Sequence, residues 1–267
     1  MKNFIFHNKN IAYPHDALLV AYPVKSPYKP ILFLAANIMN ITPVNEASPL
    51  ITLDDAIFES VVNDLVKQGF SIQPNRLPVA VVDALLTCQR SMKDSEYQKA
   101  GIGRATQFQQ KDDIRSDEIS WITGSTVEGQ IWLSWCDALK TYINRSLFMG
   151  LFSFESHFAC YDVGAFYKRH LDAFKEQRVL KNQTNRVLSL VAYLNEDWKE
   201  GDGGELVLYQ NNEDIKGLKI EPTRGTFVVF LSEEFPHEVL MSNRERHSVA
   251  GWFRVNGSIN AQIDPPI

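Results

Sequence analysis

The chain predicts an α+β fold in which helices come first and buttress a β-barrel or sandwich. Two features carry this expectation. Apolar residues recur with a period near 3.6 in three segments between about residue 52 and residue 147, and with a period of 2 after about residue 150. The later runs are short and are broken by Gly, Asn, Asp and Pro, as strands of an antiparallel sheet are.

Residues 1–50 stand apart as an N-terminal extension. Pro14, Pro23, Pro27 and Pro30 punctuate it and no helical period persists, so it reads as an irregular or β-rich arm with short strands near 17–22 and 31–36. The first helix starts at Thr52, a capping residue, with Asp54 and Asp55 in the first turn. Ile57, Phe58, Val61, Val62, Leu65 and Val66 form its apolar face, and Gly69 ends it. A second helix is expected from Pro78 to about Met92 and a third from about Thr126 to Leu147. The segments HFACYDV, RVLSLVAYL, GELVLY, TFVVFL and HSVAGWFRV follow as strands.

The bulk numbers fit one large domain or a domain with an extension: 267 residues, 45% hydrophobic and 22% charged. A net charge of −5 without a basic block argues against a dedicated nucleic-acid partner. Cys88, Cys136 and Cys160 are odd in number and widely spaced, which fits reduced thiols better than a disulfide framework. MKNFIFHNKN lacks the apolar core of a signal peptide, and ILFLAANIMNI is too short to span a bilayer. A cytoplasmic protein without a membrane partner is the expectation.

The stretch FYKRHLDAF carries the chemistry. In a strand, positions i and i+2 face the same way, so His170 and Asp172 aim an imidazole and a carboxylate at one point. Non-haem Fe(II) oxygenases hold iron with two histidines and one carboxylate and keep open positions for cosubstrate and O₂. An HxD pair alone is a weak signal, because surface His and Asp two apart occur readily. His237, after the strand TFVVFL, is the best-placed third donor. Of the other histidines, His7 and His15 lie in the extension and His247 should face outward. His157 shares strand parity with Tyr161 and reads as a hydrogen-bonded pocket residue rather than a ligand.

Arg246 begins a strand in which Arg246, Ser248, Ala250 and Trp252 share a face. Small residues between a guanidinium and an indole leave room for a dicarboxylate such as 2-oxoglutarate, and Arg can bind its distal end bidentately. Arg244 is the rival; parity and the small residues favour Arg246.

With HLD, HEV and RHSVAGWF in place, the chain resembles the prolyl 4-hydroxylase family of Fe(II)/2-oxoglutarate dioxygenases, most of all the branch of the hypoxia-factor prolyl hydroxylases and their bacterial relatives. The likeness covers roughly residues 55–255 and includes GIGRATQF, IRSDEISWI, HFACYDVGAFYKRHLD, VLSLVAYLNEDW, GDGGELVLY and PTRGTFVVF in the family's order. The resemblance implies a double-stranded β-helix, or jelly roll, over about 150–256 within a catalytic domain spanning 51–256, with 257–267 as a tail. It implies Fe(II) held by His170, Asp172 and His237, 2-oxoglutarate anchored by Arg246 and Tyr193, and ascorbate as reductant. Tyr161, Leu206, Val239 and Trp252 would line the cosubstrate pocket, with His157 where the branch has an apolar residue. Asp117 and Arg186 would meet substrate, and 101–113 would close over it. The partner implied is a protein with an exposed prolyl loop, such as a translation factor. A longer connection over 173–185 departs from the branch. An oxygenase acting on a free amino acid and a non-catalytic sensor are the alternatives, and a Zn hydrolase, which leaves Arg246 unexplained, is more remote.

Overall fold

A computed structural model of the protein describes residues 51–92, 96–100, 114–173, 186–255, 258–259 and 262–263. The N-terminal extension, the 101–113 loop and residues 174–185 lie outside the described residues.

Helix α1 (Ile51–Gln68) turns Phe58, Val61, Val62 and Leu65 into the core. The backbone is already helical at Ile51, so Thr52 lies inside the helix instead of capping it. Val66, at the edge of the apolar stripe in the last turn, is 60% exposed, against the sequence expectation. Gly69 ends the helix at φ 81°, where its amide donates to Leu65 O at 2.9 Å. Strand β1 (Phe70–Gln73) follows at once. Its polar residues are the buried ones: Ser71 donates to Asp64 Oδ2 at 2.8 Å, and Gln73 donates to Ser60 Oγ at 3.0 Å, which stitches the strand to α1.

Helix α2 (Val79–Ser91) starts after Pro78, and β2 (Gln98–Lys99) and β3 (Glu118–Trp121) form a small edge. In α3 (Val127–Leu147), Thr126 Oγ1 accepts from Gly129 N, so the N-cap sits where the sequence puts it. The strands that follow are β4 (Leu151–Tyr161), β5 (Tyr167–His170), β6 (Arg186–Tyr193), β7 (Leu206–Leu208) and β8 (Leu218–Ile220). Strands β9 (Phe227–Leu231), β10 (His237–Val239) and β11 (Arg246–Val255) complete the body, and β12 (Ser258–Ile259) pairs with β13 (Gln262–Ile263).

Two antiparallel sheets result, ordered β1-β9-β6-β11-β4-β3-β2 and β5-β10-β7-β8. This is the jelly-roll-like double-stranded β-helix with N-terminal helices. One apolar cluster fills the space between the helices and the large sheet, with Trp132, Trp135, Leu139, Phe158, Leu190, Val229 and Phe253 at its centre. A second cluster, including Tyr161, Tyr193, Leu206, Phe230 and Val239, lies between the sheets. The large sheet therefore packs against the helices on one face and looks toward the small sheet on the other. Among the described residues, no helix is long and apolar enough to cross a membrane.

Candidate metal and cosubstrate site

The register of the large sheet decides which side chains reach the inner space. Along β11, Arg246 pairs with Tyr161, Ser248 with Ala159 and Tyr193, Ala250 with His157 and Val191, and Trp252 with Glu155 and Ser189. Paired residues of antiparallel strands share a face, so these form four rows looking toward the small sheet.

The small sheet brings the donors opposite. His237 on β10 pairs with His170 on β5, and Asp172 follows two residues beyond. His170 Nε2 lies 3.7 Å from Asp172 Oδ1, and His237 Nε2 lies 3.6 Å from Asp172 Oδ2. The Nδ1 atoms point away: that of His170 is 2.8 Å from Lys168 O and that of His237 is 3.1 Å from Phe235 O. A carbonyl can only accept, so each Nδ1 carries a proton and Nε2 is the nitrogen turned to the centre. Burial and the neighbouring His237 push the His170 imidazole down to about 3, so it is neutral near pH 7. Burial opposes ionisation of Asp172, but His237, His170, Arg186 and a hydrogen bond from Ser189 outweigh it and hold the carboxyl well below the usual range.

That hydrogen bond belongs to a chain. Ser189 Oγ donates to Asp172 Oδ2 at 2.6 Å and lies 2.9 Å from Ser232 Oγ, and both serines are buried. The sequence reading missed Ser189. Its signal was present, because a polar residue four before Tyr193 in RVLSLVAY shares the tyrosine's face.

Arg246 is 1% exposed, and among the described residues no carboxylate pairs with it. Its Nε donates to Gly204 O at 2.8 Å and Nη1 to Ser248 Oγ at 3.0 Å, while the rings of Tyr161 and Tyr193 flank the guanidinium at 4.8 and 5.3 Å. Among the described residues, the buried Tyr193 hydroxyl has no partner at strict hydrogen-bonding geometry. Burial raises its pKa to about 12, against the charge and the near approach of the Arg246 guanidinium. Gly204 was likewise missed: at φ +65°, a Cβ there would meet Arg246 Cδ at 2.9 Å, so only glycine lets the arginine lie flat beneath it. Leu206 and Val239, paired across β7 and β10, wall the space together with Tyr161. The rival Arg244 is on the surface, 3.2 Å from Asp202 and over Trp198.

At the rim, the Arg186 guanidinium stacks 3.5 Å from the centroid of Trp252 and donates to Glu155 at 2.9 Å, where Arg254 also binds at 3.3 Å. Asp117 is 1% exposed and held by both Nε and Nη2 of Arg115, at 2.7 and 2.6 Å. Arg115 in turn covers the Tyr167 ring at 4.4 Å. Asp117 and Arg186 thus have separate ionic partners, and Arg115, unremarked in the sequence, stands between Asp117 and the His170 strand. His157 is buried between Trp121 and Trp252, at 5.3 and 5.4 Å, with Nδ1 3.0 Å from Phe158 O; burial drives its pKa down to about 4. The 101–113 segment lies outside the described residues.

The donor set suits Fe(II): two imidazoles and a carboxylate within 4.8 Å of one another. A buried guanidinium and a phenol beside it, which among the described residues have no acidic partner and no hydrogen-bond partner respectively, suit the distal carboxylate of 2-oxoglutarate.

Comparison with known proteins agrees. Residues 156–254 match the model of the 2OG-Fe(II) oxygenase superfamily. A prolyl-4-hydroxylase from Pseudomonas putida is 40% identical, with 74% of this chain and 99% of that one covered at a TM-score of 0.63. A Trichoplax adhaerens prolyl hydroxylase, solved in complex with a hypoxia inducible factor oxygen degradation domain peptide fragment, is 27% identical over 78% of this chain and 94% of its own, also at 0.63. A prolyl 4-hydroxylase of Phytophthora capsici shares the fold at 21% identity and a TM-score of 0.54, over 80% of this chain and 68% of its own. By its inward-facing rows, its His-Asp-His cluster and these relatives, the chain belongs to the 2OG-Fe(II) oxygenases, in the prolyl 4-hydroxylase family.

Proposed function

We propose that the protein hydroxylates a prolyl residue of a protein substrate, consuming 2-oxoglutarate and O₂ and releasing succinate and CO₂. The observation that carries the site is Arg246, a buried cation with no acidic partner among the described residues, facing the same space as the His170, Asp172 and His237 donors. In this reading those three residues hold Fe(II), and ascorbate keeps it ferrous. When bound, the iron and 2-oxoglutarate supply oxygen activation and oxidative decarboxylation.

The chain supplies the rest. Arg246 and the Tyr193 hydroxyl bind the distal carboxylate, which gives the guanidinium a counter-charge and the phenol a hydrogen-bond partner. Tyr161, Leu206, Val239 and Trp252, together with the neutral His157, exclude water around the chain of the dicarboxylate. Ser189 holds one Asp172 oxygen in place. The catalytic unit spans 51–256, flanked by the extension and the short tail.

The prolyl substrate rests on the Pseudomonas and Trichoplax relatives, the latter bound to a peptide. Here Arg186, stacked on Trp252 and near enough to Asp172 to act on its charge, offers a peptide a cationic and aromatic rim. Asp117 acts through Arg115, which it fixes over Tyr167.

The test incubates the enzyme with Fe(II), ascorbate, 2-oxoglutarate and proline-bearing candidate proteins, free proline serving as the comparison. One oxygen gained on a mapped proline is expected. Arg186→Ala should raise the protein-substrate KM while sparing metal binding and uncoupled 2-oxoglutarate turnover. Efficient turnover of free proline, with protein hydroxylation unchanged in Arg186→Ala, would replace this reading with a small-molecule oxygenase.

A further inference from the structure

The described residues contain two groups of metal-donor side chains, and the second lies on the opposite face of the large sheet from the first. Strands β3, β4 and β11 run side by side, and their register sets Glu118, Cys160 and His247 opposite one another in a single row. This row projects away from the small sheet, because Tyr161 and Arg246, each one residue away, project toward it. Glu245, two before His247, returns to the outer face. Its Oε1 lies 2.7 Å from His247 Nε2 and 3.9 Å from Cys160 Sγ. One donor atom from each of the three residues falls within 4.8 Å of the others.

Burial, then the negative charges of Glu245, Asp162, Glu118 and Asp117, raise the Cys160 thiol pKa, so a cation must displace a firmly held proton, and the same charges attract the cation. Burial lowers the His247 pKa, against the pull of Glu245. The ring is also fixed from behind. Its Nδ1 contacts the side-chain amide of Gln89 on α2, and Asn195 clamps its backbone, accepting from His247 N at 2.7 Å and donating to His247 O at 3.0 Å. In the structure the Gln89 amide nitrogen faces Nδ1 and Nε2–H points at Glu245 Oε1. A cation at Nε2 requires the ring proton on Nδ1 and the Gln89 amide turned so that its oxygen accepts it, as outer partners do for metal-binding histidines.

We propose that Cys160, Glu245 and His247 form a second divalent-cation site, of the class that takes Zn(II) and other thiophilic borderline ions. Tetrahedral coordination at usual bond lengths places S and O about 3.5 Å apart and N and O about 3.3 Å apart. The observed 3.9 and 2.7 Å reach those values by shifts of roughly half an ångström, which exposed Glu245 can make. The fourth position is open to solvent or to Glu118, and binding releases the thiol proton to water. Arg246 lies between the two β11 donors and Tyr161 adjoins Cys160, so a cation here ties together the two strands whose inner faces flank the cosubstrate pocket.

Cobalt(II) tests this directly, because the His170, Asp172 and His237 centre contains no sulfur. The probe is added anaerobically to full-length protein loaded with Fe(II) and 2-oxoglutarate. A thiolate-to-cobalt charge-transfer band in the near ultraviolet is expected, rising to one equivalent and displaced by Zn(II). It should vanish in Cys160→Ser and weaken in Glu245→Gln, yet persist in Cys88→Ser and in His170→Ala, which loses the iron centre. Near-ultraviolet circular dichroism of Cys160→Ser should match the parent, showing an intact fold. Absence of the band from the parent protein, or its survival in Cys160→Ser, overturns the proposal. Persistence in His170→Ala keeps the result separate from the fate of the iron assignment.

Discussion

Arg246→Met is the sharpest perturbation of the cosubstrate pocket. The guanidinium is 1% exposed, so its pairing with a bound carboxylate takes place out of water. Deleting one partner of such a pair costs roughly 3–5 kcal/mol, which is about two to four orders of magnitude in Kd. The effect on stability can be worked out in advance. At 2-oxoglutarate equal to about 100 times the wild-type Kd, ligand binding adds about 2.7 kcal/mol to the unfolding free energy. For a variant weakened by at least about 160-fold, the same concentration adds no more than about 0.3 kcal/mol. Without 2-oxoglutarate, the substitution removes a buried uncompensated charge but also the donor to Gly204 O, opposing effects of roughly 1–3 kcal/mol each. Urea unfolding of Mn(II)-loaded protein, with and without 2-oxoglutarate, reads the ligand increment apart from the baseline. Arg244→Met, altered at a surface ion pair, should keep the full increment. A wild-type increment in Arg246→Met, or its loss in Arg244→Met, would refute the assignment.

Two further outcomes follow from buried polar groups. Ser189→Ala removes the 2.6 Å hydrogen bond to Asp172, and outer-partner losses of this kind weaken metal binding by about 10–100-fold; Mn(II) titration should show it, with Ser189→Thr restoring most of the affinity. His157 has a folded pKa of about 4, against an ordinary 6.5, so the unfolded chain binds the extra proton between those pH values. Stability therefore falls as pH drops from about 6.5 toward 4, by at most about 3 kcal/mol from this group. His157→Leu should flatten that part of the pH profile in metal-free protein, and an unchanged slope would show that His157 is not the cause.

Three helices and the strands β4, β6, β9 and β11 were legible because each carries a single hydrophobic period over enough residues to be recognised. The small sheet was harder: GELVLY marked β7, but β8 and β10 have three residues each, too few to display alternation. Strand β1 concealed itself differently, since its buried residues are Ser71 and Gln73, satisfied by α1 rather than by apolar contacts. At the site, the small residues Ser248 and Ala250 that share the face of Arg246 singled it out together with strand parity; Arg244 lies before β11 begins and is on the surface. The partners that complete the site come from far along the chain. Ser232 and Gly204 meet Ser189 and Arg246 only through sheet closure, and no local pattern records a contact across 42 or 43 residues.

The tryptophans have an optical consequence. Four of the five, Trp132, Trp135, Trp198 and Trp252, are at most 8% exposed, whereas Trp121 is 52% exposed, edge-on to His157 with Trp252 behind it. A collisional quencher in solvent should therefore extinguish the red-shifted emission of one indole and leave the blue-shifted remainder almost untouched. Because Trp121 stands one imidazole away from the wall of the pocket, the protein carries its own unlabelled fluorophore at the rim. Stopped-flow emission can then time the arrival of a macromolecule there separately from anything that happens at the metal.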